Sequence, residues 1–202
     1  KKHQRIRDVQ DYPERHFPRQ WMNAPDPGAL VKQCVPAMFL HPLAANGWRL
    51  SALSCAGRSL SATWEQTEFS GDMLLPFNAV LDEKSPKFAM SHTPVPGNLP
   101  KGERALADLL SKEEAARRLY AFTQHFALKT KLSFKKRAVK KVEKIDVPCP
   151  WLEGSWDLSE VPAYLVADYN SLAQALNIPG FILKEITFAK NTWKLKGEVY
   201  AK

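Results

Sequence analysis

Cysteine is scarce in this sequence, with three residues among 202, and the three are badly placed for holding a metal. No CxxC pair occurs, and no histidine stands at ligand spacing from Cys34, Cys55 or Cys149, which excludes the common zinc modules. Glycine is scarce as well, nine residues, and none falls in GxGxxG, a Walker loop or GxSxG; HExxH is also missing. Dinucleotide binding, phosphate cradling, elbow-type serine hydrolysis and zinc hydrolysis therefore have no motif to stand on. No run of about 18 apolar residues is present to span a bilayer. No apolar segment with a small-residue cleavage site marks a signal peptide either. The five histidines, His3, His16, His41, His92 and His125, are scattered. His92, on an expected strand, is the one candidate base, and a lone strand histidine is far more often a surface residue. Cys149, between two prolines, is the candidate nucleophile of a cysteine hydrolase, but no neighbour in sequence would lower its pKa. We expect no catalytic, cofactor-binding or metal-binding residue, and no enzyme.

What the chain does have is two hairpins. Gly47 to Trp64, GWRLSALSCAGRSLSATW, and Gly180 to Gly197, GFILKEITFAKNTWKLKG, each open on Gly and an aromatic residue. Each alternates apolar and polar residues as a strand with one buried face must. Each breaks at a small turn, Ala56-Gly57 or Lys190-Asn191, and resumes alternating. Laid over one another without a gap, they put Leu50 on Leu183, Leu53 on Ile186, Leu60 on Trp193 and Ala62 on Leu195. An apolar helical stretch precedes each hairpin, so the pattern reads as an internal repeat.

The rest of the chain is organised around this pair. Residues 1–27 hold Pro13, Pro18, Pro25 and Pro27, too many for a long helix, and read as an extended lead-in docked through Phe17 and Trp21. Asp26-Pro27 opens a helix through Leu40, with Leu30, Val31, Cys34, Ala37 and Met38 on one stripe and a bend at Pro36. After the first hairpin, MLLPFNAVL (residues 73–81) reads as a short helix and Lys87 to Thr93 as a strand. Residues 94–102, PVPGNLPKG, are the linker and domain boundary. Glu103 to Phe126 is helical, or two helices joined near Leu110, since Ser111-x-x-Glu114 matches a capping box. Leu128 to Phe134 alternates into a strand whose outer lysines suit a sheet edge. A basic insert near 135–155 reads as an excursion, Trp156 to Asp168 as a strand, and SLAQALNI as a helix capped by Asn170 or Ser171. The expected fold is α+β: two tandem ferredoxin-like modules, αββαβ over 28–93 and αββαββ over 103–202, with helices packed on antiparallel sheets.

The formal charge of +8 is uneven: eight Lys and Arg fall between Lys129 and Lys144, and KKHQRIR opens the chain. Nucleic-acid binding through 129–144 is thus the alternative function, although no [KR]-G-[FY]-[GA]-[FY] strand motif accompanies it. Of six tryptophans, Trp48, Trp64 and Trp193 fall on hairpin strands. Trp21, Trp151 and Trp156 fall outside elements or at their ends, either at a binding interface or pinning loops to the body. Cys34 and Cys55 are either a disulfide closing a loop of about 20 residues or two buried thiols in a reducing compartment.

The hairpin GWRLSALSCAGRSLSATW behind a helix that holds Cys34, and the ending ALNIPGFILKEITFAKNTWKLKGEVYAK, resemble the C-terminal periplasmic region of PilO-type pilin accessory proteins of type IVb pilus systems. The resemblance covers most of residues 21–66 and 160–202. It implies a non-enzymatic scaffold, the periplasmic domain of an inner-membrane-anchored bacterial protein. Residues 1–27 would then follow a membrane anchor that precedes this sequence, the chain's only link to the membrane. The partners implied are other type IVb pilus assembly proteins, the inner-membrane platform and the secretin among them; a homodimer is compatible, and nucleic acid is disfavoured. The basic segment 135–147 has no counterpart in the resemblance.

The site expected from the residues is a Cys34–Cys55 disulfide, with Cys149 free. Cys34 lies on the apolar stripe of its helix, and Cys55 ends the first hairpin strand. A helix packed about 10 Å from a sheet brings some such pairs within the Cα separation of about 4.4 to 6.8 Å that the bond needs.

Overall fold

Both hairpins form where the alternation places them. In the computed structural model, which describes residues 19–39, 48–56, 59–66, 79–82, 87–92, 102–125, 128–142, 144–162, 166 and 168–202, β1 (Trp48–Ala56) pairs antiparallel with β2 (Ser59–Gln66). Near the end, β9 (Phe181–Ala189) pairs with β10 (Thr192–Ala201). Lys190 and Asn191 join β9 to β10 with φ of 51° and 61°, the left-handed pair that a type I′ turn requires. The repeat holds to the residue, because β1 and β9 start at 48 and 181, end at 56 and 189, and their partner strands start at 59 and 192.

Before the first hairpin lie α1 (Arg19–Asn23) and α2 (Pro27–Phe39), which runs through Pro36. Between the hairpins come β3 (Ala79–Asp82), β4 (Lys87–His92), a 3-10 turn (Leu106–Asp108) and α3 (Lys112–His125). There follow β5 (Lys129–Phe134), β6 (Val139–Val142), β7 (Ile145–Pro148), β8 (Leu152–Val161) and α4 (Tyr169–Leu176). The helix expected from Glu103 is reduced to the 3-10 turn, but the later start at Ser111 holds: the Glu114 N–H donates to Ser111 Oγ at 3.1 Å. Hydrogen bonds from Arg117, then Arg118, hold the Glu114 carboxyl down at about 2.

All eight long-range strands share one antiparallel sheet in the order β3-β4-β2-β1-β9-β10-β8-β5, while β6 and β7 form a separate two-stranded ribbon. The first four strands and the last four follow the same order, third-fourth-second-first when numbered within each half. The halves meet where β1 pairs with β9, from Ala52 opposite Ala189 to Ala56 opposite Glu185. One core lies beneath. Leu30, Val31 and Val35 of α2, Ala115 and Leu119 of α3, and Leu172 and Leu176 of α4 meet Leu53, Trp64, Leu158, Ile186, Trp193 and Leu195 of the strands. Burying each of the larger side chains contributes about 1.5–3 kcal/mol. Helices α2 and α4, one ahead of each hairpin, pack together, and the Gly28 N–H donates to Asn177 Oδ1 at 2.9 Å.

Four expectations are corrected. Ala79–Asp82 is a strand, not the end of a helix, so the first half contributes four strands rather than three. Three apolar residues before Asp82 carry no periodicity that separates the two, and pairing with β4 decides it. The insert at 135–155 holds the β6–β7 ribbon and the start of β8 at Leu152, not an irregular excursion. The cap position of α4 is Asp168 rather than Asn170 or Ser171. Trp156 is in the middle of β8 rather than outside an element or at its end; of the two readings open for Trp21, Trp151 and Trp156, burial of all three favours pinning to the body over an exposed interface. Residues 1–18, the helical stretch 73–78 and the linker residues 94–101 lie outside the described residues.

Candidate interaction surface

The sheet ends in β3 on one side and β5 on the other. In β5, KTKLSF, Lys129, Lys131 and Ser133 are exposed while Thr130, Leu132 and Phe134 are half-buried, Leu132 and Phe134 against the main core. Just past the strand, the Lys135 N–H donates to the Glu153 carbonyl at 2.8 Å. Backbone groups of an antiparallel strand alternate in direction, so those of Thr130, Leu132 and Phe134 point away from β8. Among the described residues no strand pairs with them.

The β6–β7 ribbon carries this edge onward. The Cys149 N–H donates to the Ala138 carbonyl at 2.8 Å, and Arg137 Nη1 donates to the Cys149 carbonyl at 2.7 Å, so the ribbon continues the β5–β8 pair as an arm. Lys135, Lys136, Arg137, Lys141 and Lys144 are exposed along it, and Val139 is 61% exposed at its base. Among the described residues no carboxylate stands at ion-pair distance from these five cations, although Lys141 is opposite Asp146 in register.

The solvent face of the sheet is different, because its charges largely cancel. Lys129 pairs with Glu160 at 2.7 Å, Lys196 with Glu185 at 2.8 Å, and Arg49 with Glu65 at 3.2 Å. A groove of about 600 Å³ lies where this face meets the end of β5, between Phe134, Lys135, Trp151, Glu153, Glu198 and Tyr200.

Beside that groove a second cluster, Trp21, Leu109, Trp151, Ile182 and Tyr200, holds the lead-in against the sheet. Its lock is Arg104, whose side chain is 8% exposed. Arg104 donates to the carbonyls of Trp21 and Ala24, the latter at 2.7 Å, and to Asp26 at 2.8 Å, with its guanidinium 5.5 Å from the Trp21 ring centre. Tyr200 donates to Gln20 Oε1 at 2.8 Å. Burial, then Glu198 and Glu153, push the Tyr200 phenol up to about 12. The sequence gives no signal for Arg104, since two of its partners are main-chain carbonyls some 80 positions away.

Cys34 and Cys55 are brought together, with Cα atoms 6.4 Å apart, within the separation a disulfide needs, and both lie in the main core. Cys149 lies apart from that pair, half-buried at the root of the arm. His92 ends β4, opposite Leu60 in register, and the structure does not bring it to Cys149 or to the arm. Among the described residues no group of three or more His, Cys, Asp or Glu gathers as metal ligands, and no helix is long and apolar enough to cross a membrane.

One antiparallel sheet with its helices on a shared core, and with basic residues concentrated along an unpaired edge, defines an open-sheet α+β protein. The family model for pilin accessory protein (PilO) matches residues 2–201, and the chain belongs to that family, a component of pilus assembly. No curated protein and no solved structure matches the chain.

Proposed function

We propose that this chain is the periplasmic domain of a non-enzymatic scaffold in a type IVb pilus assembly machine, tied to the inner membrane and contacting other pilus biogenesis proteins. The match to the pilin accessory family across residues 2–201 carries this reading. The unpaired β5 edge supports a role in contact. An oxidising compartment is supported by the 6.4 Å Cα separation of Cys34 and Cys55. The repeated strand order supports two tandem ferredoxin-like modules, 28–93 and 103–202, joined by the linker 94–102 and fused edge to edge into one sheet. Affinity capture of the full-length protein from crosslinked envelopes of a piliated host tests the proposal. Inner-membrane pilus assembly proteins should be recovered with it; recovery of none, or a cytosolic location, would overturn it.

The exposed cations of the arm favour a second reading, nucleic-acid binding through 129–144. Its signature is affinity for double-stranded DNA that falls by about a thousandfold or more between 50 and 200 mM salt.

A further inference from the structure

We infer that the β5 edge and the basic arm beyond it take an extended acidic segment of a partner protein as an added strand. The inference rests on the scaffold reading and names the surface and the kind of partner. Thr130, Leu132 and Phe134 turn their N–H and C=O groups outward without a partner strand among the described residues, and such a row is a template for strand addition. The molecule already makes a joint of this type, since β1 and β9 are the outer strands of their respective halves and fuse through an antiparallel ladder.

Charge selects the occupant. A second copy of β5 laid on the first would crowd Lys129, Lys131 and Lys135 against their own kind, and like charges across a strand pair are destabilising. An acidic strand meets the opposite situation. Lys129 is engaged by Glu160 and Lys131 is opposite Asp157, but Lys135, Lys136, Arg137, Lys141 and Lys144 have no carboxylate at ion-pair distance among the described residues. Carboxylates on the added strand would fall along these cations. The groove near Phe134 and Tyr200 is walled by Glu153 and Glu198, so the residue entering it is uncharged. Nucleic acid needs the cations but not the open backbone edge, and this separates the two partners.

The test uses the 202-residue chain with a fluorescein-labelled ten-residue peptide of alternating Glu and Thr, its Lys-Thr counterpart, and a labelled double-stranded DNA. The Glu-Thr peptide should bind, weaken at least tenfold in 0.5 M salt, and protect the amides of Thr130, Leu132 and Phe134 from hydrogen exchange. The double variant Lys135→Glu, Lys136→Glu changes exposed side chains only, and should bind at least tenfold more weakly with unchanged near-ultraviolet circular dichroism. Equal binding of the two peptides, protection confined to other strands, tighter binding of DNA, or self-association that protects the β5 amides would each overturn the proposal. If the peptide fails while pilus assembly proteins are still captured from envelopes, the surface is wrong and the scaffold reading stands.

Discussion

Ser54 faces Thr187 at the middle of the ladder that joins β1 to β9. The displacement that carries residue 54 to 187 also carries β1 onto β9 and the start of β2 onto the start of β10. The two hairpins are therefore related by an approximate twofold axis through this pair, and α2 and α4, one ahead of each hairpin, pack together. Because sheet and core run through the joint, the described halves should unfold together, in one calorimetric transition with coincident spectroscopic probes. Leu53, buried beside the axis, tests the coupling: Leu53→Ala should lower stability by about 2–4 kcal/mol and move the whole transition. Two separate transitions, with only one of them shifted, would count against a shared fold.

Arg104 holds the lead-in to the body. Arg104→Ala removes the donor to two main-chain carbonyls and to Asp26, and bonds to a charged group contribute about 1.5–3 kcal/mol each when buried. A loss of about 2–4 kcal/mol is expected, with residues 19–26 becoming open to protease. Lysine should not rescue it, because a single ammonium lacks the planar fork that reaches three acceptors. Full stability of Arg104→Lys would refute the lock.

Gly197 sits where β9 and β10 nearly touch. A Cβ there would overlap the Ile182 carbonyl and lie 2.9 Å from Trp156 Nε1. That indole N–H is shared between the carbonyls of Ile182, at 3.1 Å, and Glu198, at 3.0 Å. Gly197→Ala should thus destabilise by at least about 1–3 kcal/mol and change the Trp156 emission. A stable variant with native fluorescence would mean the strands can part without strain.

How far the fold was legible depended on period. The hairpins and β5 declared themselves because one buried face imposes strict alternation, whereas the pairing of Ser54 with Thr187 that joins the hairpins could not be read from the ungapped match of Gly47 to Gly180. Ala79–Asp82 was not legible, being too short to show a period. Nor was the early start of β8: Trp151 and Gly154 resemble a loop, but Gly154 is a place where the Ser133 carbonyl comes too close for a side chain. The basic stretch was visible as charge, but its presentation along an unpaired edge depends on which strand lies outermost. Arg104 was invisible because the carbonyls it binds are set by tertiary folding.

Tyr200 makes stability sensitive to alkali. Its folded pKa of about 12 lies above the ordinary value of 10.0, because burial and then the neighbouring carboxylates Glu198 and Glu153 disfavour the phenolate. The folded state then holds its proton after the unfolded chain has released one. The contribution is whole below pH 10 and is lost as pH rises from 10 to 12. Denaturant melts of the wild type and Tyr200→Phe should converge over that range, since the variant has no phenol to titrate. Parallel pH profiles would exclude Tyr200 as the source.

A Cys34–Cys55 bond would tie α2 to the end of β1, across a sequence separation of 21 residues. In the chain-entropy picture a crosslink of that span restricts the unfolded chain by about 3 kcal/mol. Both positions are buried in the main core, so replacement also leaves a small void, and the two effects must be separated. Reduction alone, with both thiols kept in place, removes only the crosslink and should lower the melting temperature. The double variant Cys34→Ala, Cys55→Ala should lose about 2–4 kcal/mol and become insensitive to reductant. Titration of the unreduced, denatured protein should find a single thiol, Cys149, the one cysteine outside the bond. Three thiols in protein prepared from the envelope without reductant would defeat the bond and, with it, the assignment to an oxidising compartment.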